Sequence, residues 1–547
     1  MHSNNRQKRT KELKVQNKPI YLFILFAAAA FLFISTASAR ENEQVTGIKF
    51  ADQSNINAEH WNTVDHSKFD ALKKKFTAGH DITKACLSCH TEVKKQFMHA
   101  IHWTWLSPTG GGLTGKAGYS INNFCISTNK MHDTECNNCH IGWDKKNDGI
   151  NCLKCHGQSQ MDWHQEFKDL KEFQDTGETE LVDEIESDIQ KNVLKIGLPQ
   201  RRNCGECHFN GGGGEGVKHG DLDASLIMPK KSLDVHMGID GANFTCTRCH
   251  TTKNHLIAGR VYSTPATSAR ISLVQDDLAP KISCESCHTD QPHAQGSKPN
   301  DHTDRVACQT CHIPTFARAH ATQMWWDWSS AGKLKKQRKY QQKDEYHRYS
   351  YKSIKGDFKW EKNVVPEYYW YNGSIKALTA KDIIDPSKQP VAMSWPVGSR
   401  DDKNARIFPF KVHRGKQPYD MENNTFLTPL LCIENNGYWK TLDWIDSCKR
   451  GMQIMGLPFS GKIGFVETSY VFPTTHMVAP RENALTCVQC HNRTHSRLAA
   501  LTGFYMPGRD RSDLLDFSGW GIALAALAGI LLHMLGRIFI TAKKEED

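Results

Sequence analysis

Several features that would assign this chain of 547 residues to other protein classes are missing from it. No twin-arginine pair precedes its first apolar run, Ile20 to Ile34, which favours export of an unfolded chain. The glycine run Gly211 to Gly214 is not followed by Gly-Lys-Ser/Thr, so it is not a phosphate loop. The second apolar run, Ser518 to Gly536, contains no Asp, Glu, Lys or Arg, which is typical of a membrane span.

The N-terminus predicts an exported protein. A basic stretch precedes the first apolar run, and Ala37-Ser38-Ala39 follows it as a small-residue cleavage site. We therefore expect a signal peptide at 1–39 and a mature chain that begins at Arg40, with an uncleaved signal anchor as the alternative.

The C-terminus predicts a single transmembrane helix at 518–540 and a cytoplasmic tail at 541–547. Basic residues follow the apolar run, which places the tail in the cytoplasm and the mature chain in the periplasm, anchored to the inner membrane. A buried core helix is the alternative interpretation. His533 lies within the span, where it is a candidate for contact with a quinol-oxidising partner or a b-type haem, or for helix packing alone.

Eight copies of Cys-x-x-Cys-His occur in the mature sequence. Two thiols one helical turn apart can bond to the two vinyl groups of one porphyrin while the next imidazole reaches the iron, so each copy predicts one covalently bound c-type haem. Structural zinc is the alternative, but zinc sites do not need a histidine after every second cysteine. The cysteine pairs are Cys86 and Cys89, Cys136 and Cys139, Cys152 and Cys155, Cys204 and Cys207, Cys246 and Cys249, Cys284 and Cys287, Cys308 and Cys311, and Cys487 and Cys490.

Each haem iron has two axial positions, and the motif histidines can fill one of them. The motif histidines predicted as ligands are His90, His156, His208, His250, His288, His312 and His491. Other histidines are expected to fill the second positions, and those with the best local context are His80, His99 or His102, His236, His255, His293, His302 and His476. A protein that only carries electrons would use eight such histidines.

The formal net charge of +10 does not predict a nucleic-acid partner. The signal peptide carries much of this excess, and haem propionates add negative charge to the holoprotein. The basic run Lys333 to Lys339 is expected to be a solvated loop, or alternatively to attract an anionic substrate or redox partner.

Uneven spacing of the motifs divides the mature chain, because none occurs between His312 and Cys487. We expect a mainly α multihaem cytochrome c in a periplasmic domain at 40–512, with short helices and irregular loops around a haem core. Its segment 320–480, without motifs and rich in aromatic residues, Pro and Gly, is expected to be irregular and partly stranded. Leu181 to Leu198 predicts an amphipathic surface helix.

Three cysteines lie outside the motifs. Cys432 and Cys448 are predicted to form a disulfide, because the periplasm is oxidising. Cys125 then remains alone, eleven residues before Cys136, and is either a buried inert thiol or a functional one.

The chain resembles the octahaem tetrathionate reductases over essentially all of its periplasmic part. The similarity lies in the eight haem motifs, in Cys125 before the second motif, and in the acidic-x-x-Lys-His-Gly-Asp segment at 215–221 after the fourth. Two differences are visible: the family has Asp at the position of Glu215, and its soluble members lack the C-terminal anchor.

This resemblance implies a reaction site at the second haem, which Cys136 and Cys139 attach. Lys218 would ligate its iron in place of His140, and Cys125 and Glu215 would lie at the substrate face. A metal ion lowers the pKa of a bound amine enough for it to donate a lone pair, and a nearby thiol and carboxylate can supply protons.

The leading functional hypothesis is a periplasmic reductase for a small anionic molecule, with an inner-membrane quinol-linked electron donor. The resemblance implies tetrathionate, whereas an open haem iron is equally compatible with nitrite or hydroxylamine. The alternative is a multihaem electron carrier without a substrate site. Hydroxylamine oxidation, the reverse chemistry, has no specific support in the sequence.

Overall fold

A computed structural model describes the backbone of residues 64–106, 115, 117–122, 126, 139–143, 149–159, 161–258, 283–433 and 436–545, and side chains as far as residue 539. The predicted signal peptide, Cys125 and Cys136 lie outside the described residues.

Helices in the motif-bearing part are mostly one or two turns long. Each Cys-x-x-Cys-His needs only one turn to present its two thiols, and the porphyrin supplies apolar surface that a longer helix would otherwise bury. The helices are α1 (Gly79–Leu87), α2 (Val93–Phe97), α3 (Ile101–Thr104), α4 (Leu153–His156), α5 (Trp163–Thr176), α6 (Thr179–Val193), α7 (Arg201–His208), α8 (Cys246–Cys249), α9 (Glu285–His288), α10 (Cys308–His312), α11 (Tyr438–Thr441), α12 (Trp444–Met455), α13 (Cys487–Cys490) and α14 (Asp513–Glu545).

The two longer helices of this part form a hairpin. Helices α5 and α6 are joined at Gly177, whose φ of 78° ends α5 in the left-handed conformation that glycine adopts readily. Leu170, Ile189 and Val193 are fully buried in their shared apolar cluster. The predicted amphipathic surface helix is therefore present as α6, with one face against a core and most of its other residues exposed.

The segment between the seventh and eighth motifs folds around a nine-stranded sheet with the strand order β4-β5-β6-β3-β11-β13-β9, to which β7 and β12 are added by pairing with β11. Two further small sheets are the pairs β1 with β2 and β8 with β10. The strands are β1 (Thr252–Lys253), β2 (Leu256–Ile257), β3 (Thr322–Asp327), β4 (Gln341–Lys343), β5 (Tyr349–Lys352), β6 (Gly356–Glu361), β7 (Glu367–Tyr371), β8 (Ser374–Ala377), β9 (Val391–Ala392), β10 (Ser394–Val397), β11 (Arg406–Asp420), β12 (Thr425–Phe426) and β13 (Ile463–Pro473).

Strand β11 is the centre of the sheet and is buried on both faces along most of its length. It pairs in parallel with β3 and antiparallel with β13 and β7. Gly415 is required where β11 crosses β3, because a Cβ there would lie 2.3 Å from the carbonyl oxygen of Trp326. A buried strand of this kind is a rigid support for neighbouring loops.

The expected mainly α fold is confirmed only in part. The multihaem architecture and the C-terminal helix agree with it, but the sheet makes the segment 320–480 far more regular than its Pro and Gly content predicts. The predicted Cys432–Cys448 disulfide is not formed: Cys448 is a free, fully buried thiol on α12, and burial raises its pKa. Both cysteines serve as apolar core residues.

Helix α14 extends the chain beyond the core. Its apolar part, Asp513–Phe539, has a mean hydropathy of 2.0 and none of it is buried in the protein. In the described part of the chain, this is the one helix with the length and composition to cross a membrane. Because it packs into no core, the alternative interpretation as a buried core helix is wrong.

Deletion of residues 513–547 is expected to make the protein soluble, because α14 is the only described apolar surface large enough to hold it in a bilayer. Fractionation of carbonate-washed membranes measures this change, with the full-length chain as control. Membrane retention of the truncated protein, with its haems attached, would contradict the prediction.

Candidate functional site

Six motif histidines each lie opposite a histidine from outside the motifs. In each pair one ring follows a cysteine pair and the other comes from a different part of the chain. The ring centroids are separated by 6.5 Å for His66 and His90, 6.2 Å for His102 and His208, 5.9 Å for His236 and His288, 6.3 Å for His250 and His476, 6.1 Å for His293 and His312, and 6.1 Å for His302 and His491.

These separations fit one iron between each pair of rings. A metal–nitrogen bond of about 2 Å on each side, plus roughly 1 Å from a ring nitrogen to its ring centre, separates two trans imidazoles by about 6 Å. Burial also lowers the pKa of His208 and of His288 to about 4, so both rings are neutral and can donate a lone pair to a metal.

Backbone and amide oxygens orient several of these rings through Nδ1, which leaves Nε2 for iron. The Nδ1 atom of His250 lies 2.7 Å from the carbonyl oxygen of Ala258, and that of His293 lies 3.3 Å from Oδ1 of Asn300. A hydrogen bond to the second ring nitrogen is the usual support of a metal-bound histidine. The residues present therefore fit the haem groups that their motifs predict.

The histidine of the third motif, His156, also has a histidine from outside the motifs nearby, which is His255. Nδ1 of His156 lies 3.0 Å from the carbonyl oxygen of Gly197, and Nδ1 of His255 lies 3.1 Å from Oε1 of Gln96. Burial and then the nearby His156 lower the pKa of His255, which places the two histidines in the same neighbourhood.

Not every predicted second ligand occupies such a position. His236, His293, His302 and His476 lie in the ring pairs given above. His99 is exposed, and the alternative His102 takes the place opposite His208. His80 lies against Gly149, so its role as a ligand stays a prediction.

His66 was missed by sequence reasoning, since it lies twenty residues before Cys86 with no motif beside it. Its place opposite His90 depends on the fold of the intervening chain. No local signal in the sequence identifies it.

Neighbouring motifs contact each other through their cysteines, which orders the haem sites in space. Lys154 of the third motif and Glu206 of the fourth form a 2.7 Å ion pair, and Cys249 of the fifth lies close to Cys287 of the sixth. The same is true of the seventh and eighth, through Cys311 and Cys490. The side chains of Cys86 and Cys152, of Cys139 and Cys207, of Cys204 and Cys246, and of Cys284 and Cys308 lie next to each other.

The sites therefore follow the order one, three, four, five, six, seven, eight, with the second site beside the fourth. Electrons can pass between haems whose attachment cysteines touch. The second site is a branch of this row and not one of its ends.

The second motif differs from the others in the surroundings of its histidine. His140 lies between Trp103 and Trp105, with ring centroids 5.1 and 5.3 Å away, and not beside a histidine of the described part of the chain. Its Nδ1 atom is buried without a hydrogen-bond partner, and burial lowers its pKa.

Lys218 lies close to the fourth motif, whose Cys207 contacts Cys139 of the second. Its Cδ atom and the carbonyl oxygen of Cys207 are both next to Gly211, and the Cys207 side chain contacts Cys139. Lys218 also contributes to the low pKa of His208, after burial. The lysine stem thus lies near Cys207, the cysteine of the fourth motif that contacts the second motif.

Strand β11 fixes the loop that carries Lys218. The Nζ atom of Lys411 is fully buried and donates to the carbonyl oxygen of Val217 at 2.9 Å and to Oγ1 of Thr322 at 2.6 Å. Thr322 in turn donates to the carbonyl oxygen of Gly216 at 2.6 Å. Burial lowers the pKa of Lys411 to about 7. A buried amine is costly, so its two hydrogen bonds matter for the loop.

The other end of this loop is joined to the fifth haem site. The Asp221 carboxylate accepts hydrogen bonds from the backbone N–H groups of Thr475 and His476 at 2.7 and 2.9 Å. His476 is the ring opposite His250. One short loop therefore holds both Lys218 and the support of a ligand of a neighbouring haem.

Glu215 is held in an ionised state at the start of the loop. It accepts hydrogen bonds from His320 at 3.1 Å, from Arg348 at 3.0 Å and from the backbone of Ala224 at 3.2 Å. The hydrogen bond from His320 and then that from Arg348 lower the pKa of Glu215 to about 2, against the cost of burial. Glu215 is thus a poor proton donor at neutral pH, and the same contact raises the pKa of His320.

His320 and Arg348 are functional candidates that sequence reasoning missed. Both lie beyond the motif-bearing part, on or next to the sheet, and neither has a neighbouring motif. Only the sheet brings them to Glu215.

Paired imidazoles opposite Cys-x-x-Cys-His motifs define the protein as a multihaem c-type cytochrome with covalently bound haems. The family model described as "Cytochrome c bacterial" matches residues 323–494. The crystal structure of an octahaem cytochrome c from Shewanella oneidensis is similar, with 36% identity, a TM-score of 0.68, and coverage of 82% of this chain and 98% of that one. The chain belongs to the octahaem cytochromes c, which confirms the class predicted from the motifs.

A second similar protein carries no functional description. A protein of Archaeoglobus fulgidus, described as uncharacterized, is 24% identical and aligns with 36% of this chain and 82% of its own length.

Replacement of Lys411 by Met is expected to loosen the loop at 215–221, because the Val217 carbonyl loses its buried partner at a cost of about 1–3 kcal/mol. Hydrogen–deuterium exchange of peptides from this loop should increase, while peptides of α5 and α6 should not change. Lys333→Met, on the exposed part of the same domain, is the matched control. Unchanged exchange in the loop of the Lys411 variant would show that β11 does not hold it.

Proposed function

We propose that this octahaem cytochrome c is a membrane-anchored periplasmic reductase whose substrate reacts at the second haem site. The row of sites with paired histidines carries electrons, and Lys218 ligates the iron at the second site. The substrate is a small anion, with tetrathionate as the first candidate and nitrite or hydroxylamine as others.

The observation that carries this proposal is the difference at His140. Six other motif histidines have a histidine opposite them, whereas His140 lies between two tryptophans. A site without paired imidazoles is suited to binding a substrate, since paired sites are already six-coordinate. Lys218 next to the Cys139–Cys207 contact supports its role as the replacement ligand.

The chain's own residues would bind and orient the substrate. A haem bound at the second site would supply one-electron reduction of the substrate. Lys411 and Thr322 hold the loop that presents Lys218. Glu215 keeps His320 and Arg348 together next to the loop. Reduction of tetrathionate needs two electrons and no proton: the central S–S bond breaks and two thiosulfate ions leave.

The charge of the neighbouring strands supports an anionic substrate. Lys333, Lys335, Lys336 and Arg338 are exposed on the turn before β4, as a solvated basic run would be. Strands β4, β5 and β6 continue the sheet on the side of β3, and β3 packs against the glycine loop through Trp326. Such a concentration of cations raises the local concentration of anions near the site.

Replacement of Lys218 by Ala is expected to abolish reduction of tetrathionate by reduced viologen, because the iron at the second site loses its protein ligand. A pyridine haemochrome assay should still give the wild-type haem content. Lys230→Ala, an exposed lysine twelve residues on, is the control and should keep full activity.

EPR spectra of the ferric protein separate this reductase from a pure electron carrier. A high-spin signal that changes in Lys218→Ala supports a substrate site. Eight low-spin haems with two histidines each would end the reductase proposal.

Replacement of Cys125 by Ser tests the substrate class. If the thiol takes part in sulfur chemistry, turnover of tetrathionate should fall strongly while turnover of nitrite stays near that of the wild type. Steady-state assays with both substrates, on protein of matched haem content, measure the ratio. Equal losses for both substrates would assign Cys125 a structural role.

A further inference from the structure

We propose that electrons enter the protein at the eighth haem site, Cys487–His491, from a membrane protein that docks where α14 leaves the bilayer. This inference rests on the proposed direction of electron flow toward the second site and names its starting point. It concerns a membrane-facing surface, and it does not depend on which substrate reacts.

The eighth site is tied to the membrane helix by direct contacts. Nδ1 of His491 lies 2.6 Å from the carbonyl oxygen of Pro507, and Pro507 precedes the first residue of α14, Asp513, by six residues. Six residues span at most about 20 Å even when fully extended. Arg493, two residues after the motif, forms a 3.1 Å ion pair with Asp516 inside α14. The site therefore stands at the membrane end of the molecule.

The connection between site and helix is a folded segment and not a loose tether. Arg509 donates to the carbonyl oxygens of Leu498, Leu501 and Phe504, at 2.7 to 3.0 Å. Leu498, Leu501 and Met506 are buried in an apolar cluster with Tyr368 and Ile407 of the sheet. This packing fixes the position of the eighth site relative to the start of α14.

The eighth site is also an end of the row. Among the motif cysteines that the structure describes, only Cys89 of the first motif and Cys487 of the eighth are exposed. Val488, between the two cysteines of the eighth motif, is 66% exposed. An outside partner can approach an exposed end directly, and of the two ends the eighth alone adjoins α14.

The described part of the chain has one helix able to span a membrane, which limits what the electron donor can be. Oxidation of one quinol to quinone releases two electrons and two protons, and this needs a closed pocket that one helix cannot form. The donor is therefore a second membrane protein with its own quinol site. It passes the two electrons on one at a time, each reducing a ferric iron of this chain to ferrous, and it releases the two protons itself.

Flash photoreduction in nanodiscs tests the position of electron input without any substrate. A ruthenium tris-bipyridine complex on a lipid anchor delivers electrons from the membrane surface, and the α-band absorbance of the c-type haems reports their arrival. Removal of the eighth haem by Cys487→Ser with Cys490→Ser should slow reduction of the remaining haems by an order of magnitude. Removal of the first haem by Cys86→Ser with Cys89→Ser is the matched control and should have no such effect.

A second variant keeps every haem, in case loss of a haem prevents folding. An eight-residue Gly-Ser insertion after Asp510 lengthens the connection between the eighth site and α14. It should slow photoreduction from the lipid-anchored complex, while reduction by a soluble ruthenium complex stays unchanged. The same rate in the insertion variant and the wild type would overturn the proposal, as would equal slowing on removal of either end haem.

A separate measurement tests whether electron input needs a second membrane protein. Purified protein in nanodiscs with a reduced naphthoquinol should show no rapid haem reduction. Rapid reduction under these conditions would overturn the assignment of the donor to a second protein. Because these assays contain no substrate, failure of the reductase proposal at Lys218 would leave their results unaffected.

Discussion

The pairing of imidazoles across about 6 Å is the constraint on which the rest of the structure depends. Each motif fixes one ring locally, but the second ring comes from another part of the chain, as His476 does for His250 and His302 for His491. Segments between the motifs must therefore return to particular places, which favours short helices and loops over long regular elements. The small apolar clusters of the motif-bearing part follow from this, because the porphyrins take most of the interior surface.

The sheet has a different role, which is to support the loop at 215–221. A loop that must hold a ligand needs a support that does not move. Strand β11 is buried on both faces and presents Lys411 to the backbone at Val217, while β3 presents Thr322 to Gly216. At the far end of the same loop, Asp221 binds the backbone of the segment that carries His476. The loop that carries Lys218 is thus joined by hydrogen bonds to the segment of the fifth haem site as well as to the sheet.

Much of the cofactor chemistry could be predicted from the sequence, because a Cys-x-x-Cys-His motif contains everything that attaches a haem. Nearness to a motif in sequence identified several second ligands but not the motif histidine that each faces. His302 precedes the seventh motif, yet its ring lies opposite His491 of the eighth. His66 could not be predicted from the sequence, because only the fold places it opposite His90. The sheet was underestimated for a similar reason: its strands are short or interrupted by Pro and Gly, and long-range pairing with β11 stabilises them.

The charges around Glu215 decide how the reaction site can work. Glutamate reaches further than the aspartate of the resembling family, and its carboxylate is fully engaged by His320, Arg348 and a backbone N–H group. Because these hydrogen bonds lower its pKa to about 2, Glu215 stays ionised beside His320 and Arg348. Tetrathionate cleavage needs electrons and anion binding but no proton, whereas nitrite reduction consumes many protons. An ionised Glu215 cannot donate a proton, so under the proposed function it fits tetrathionate better than nitrite.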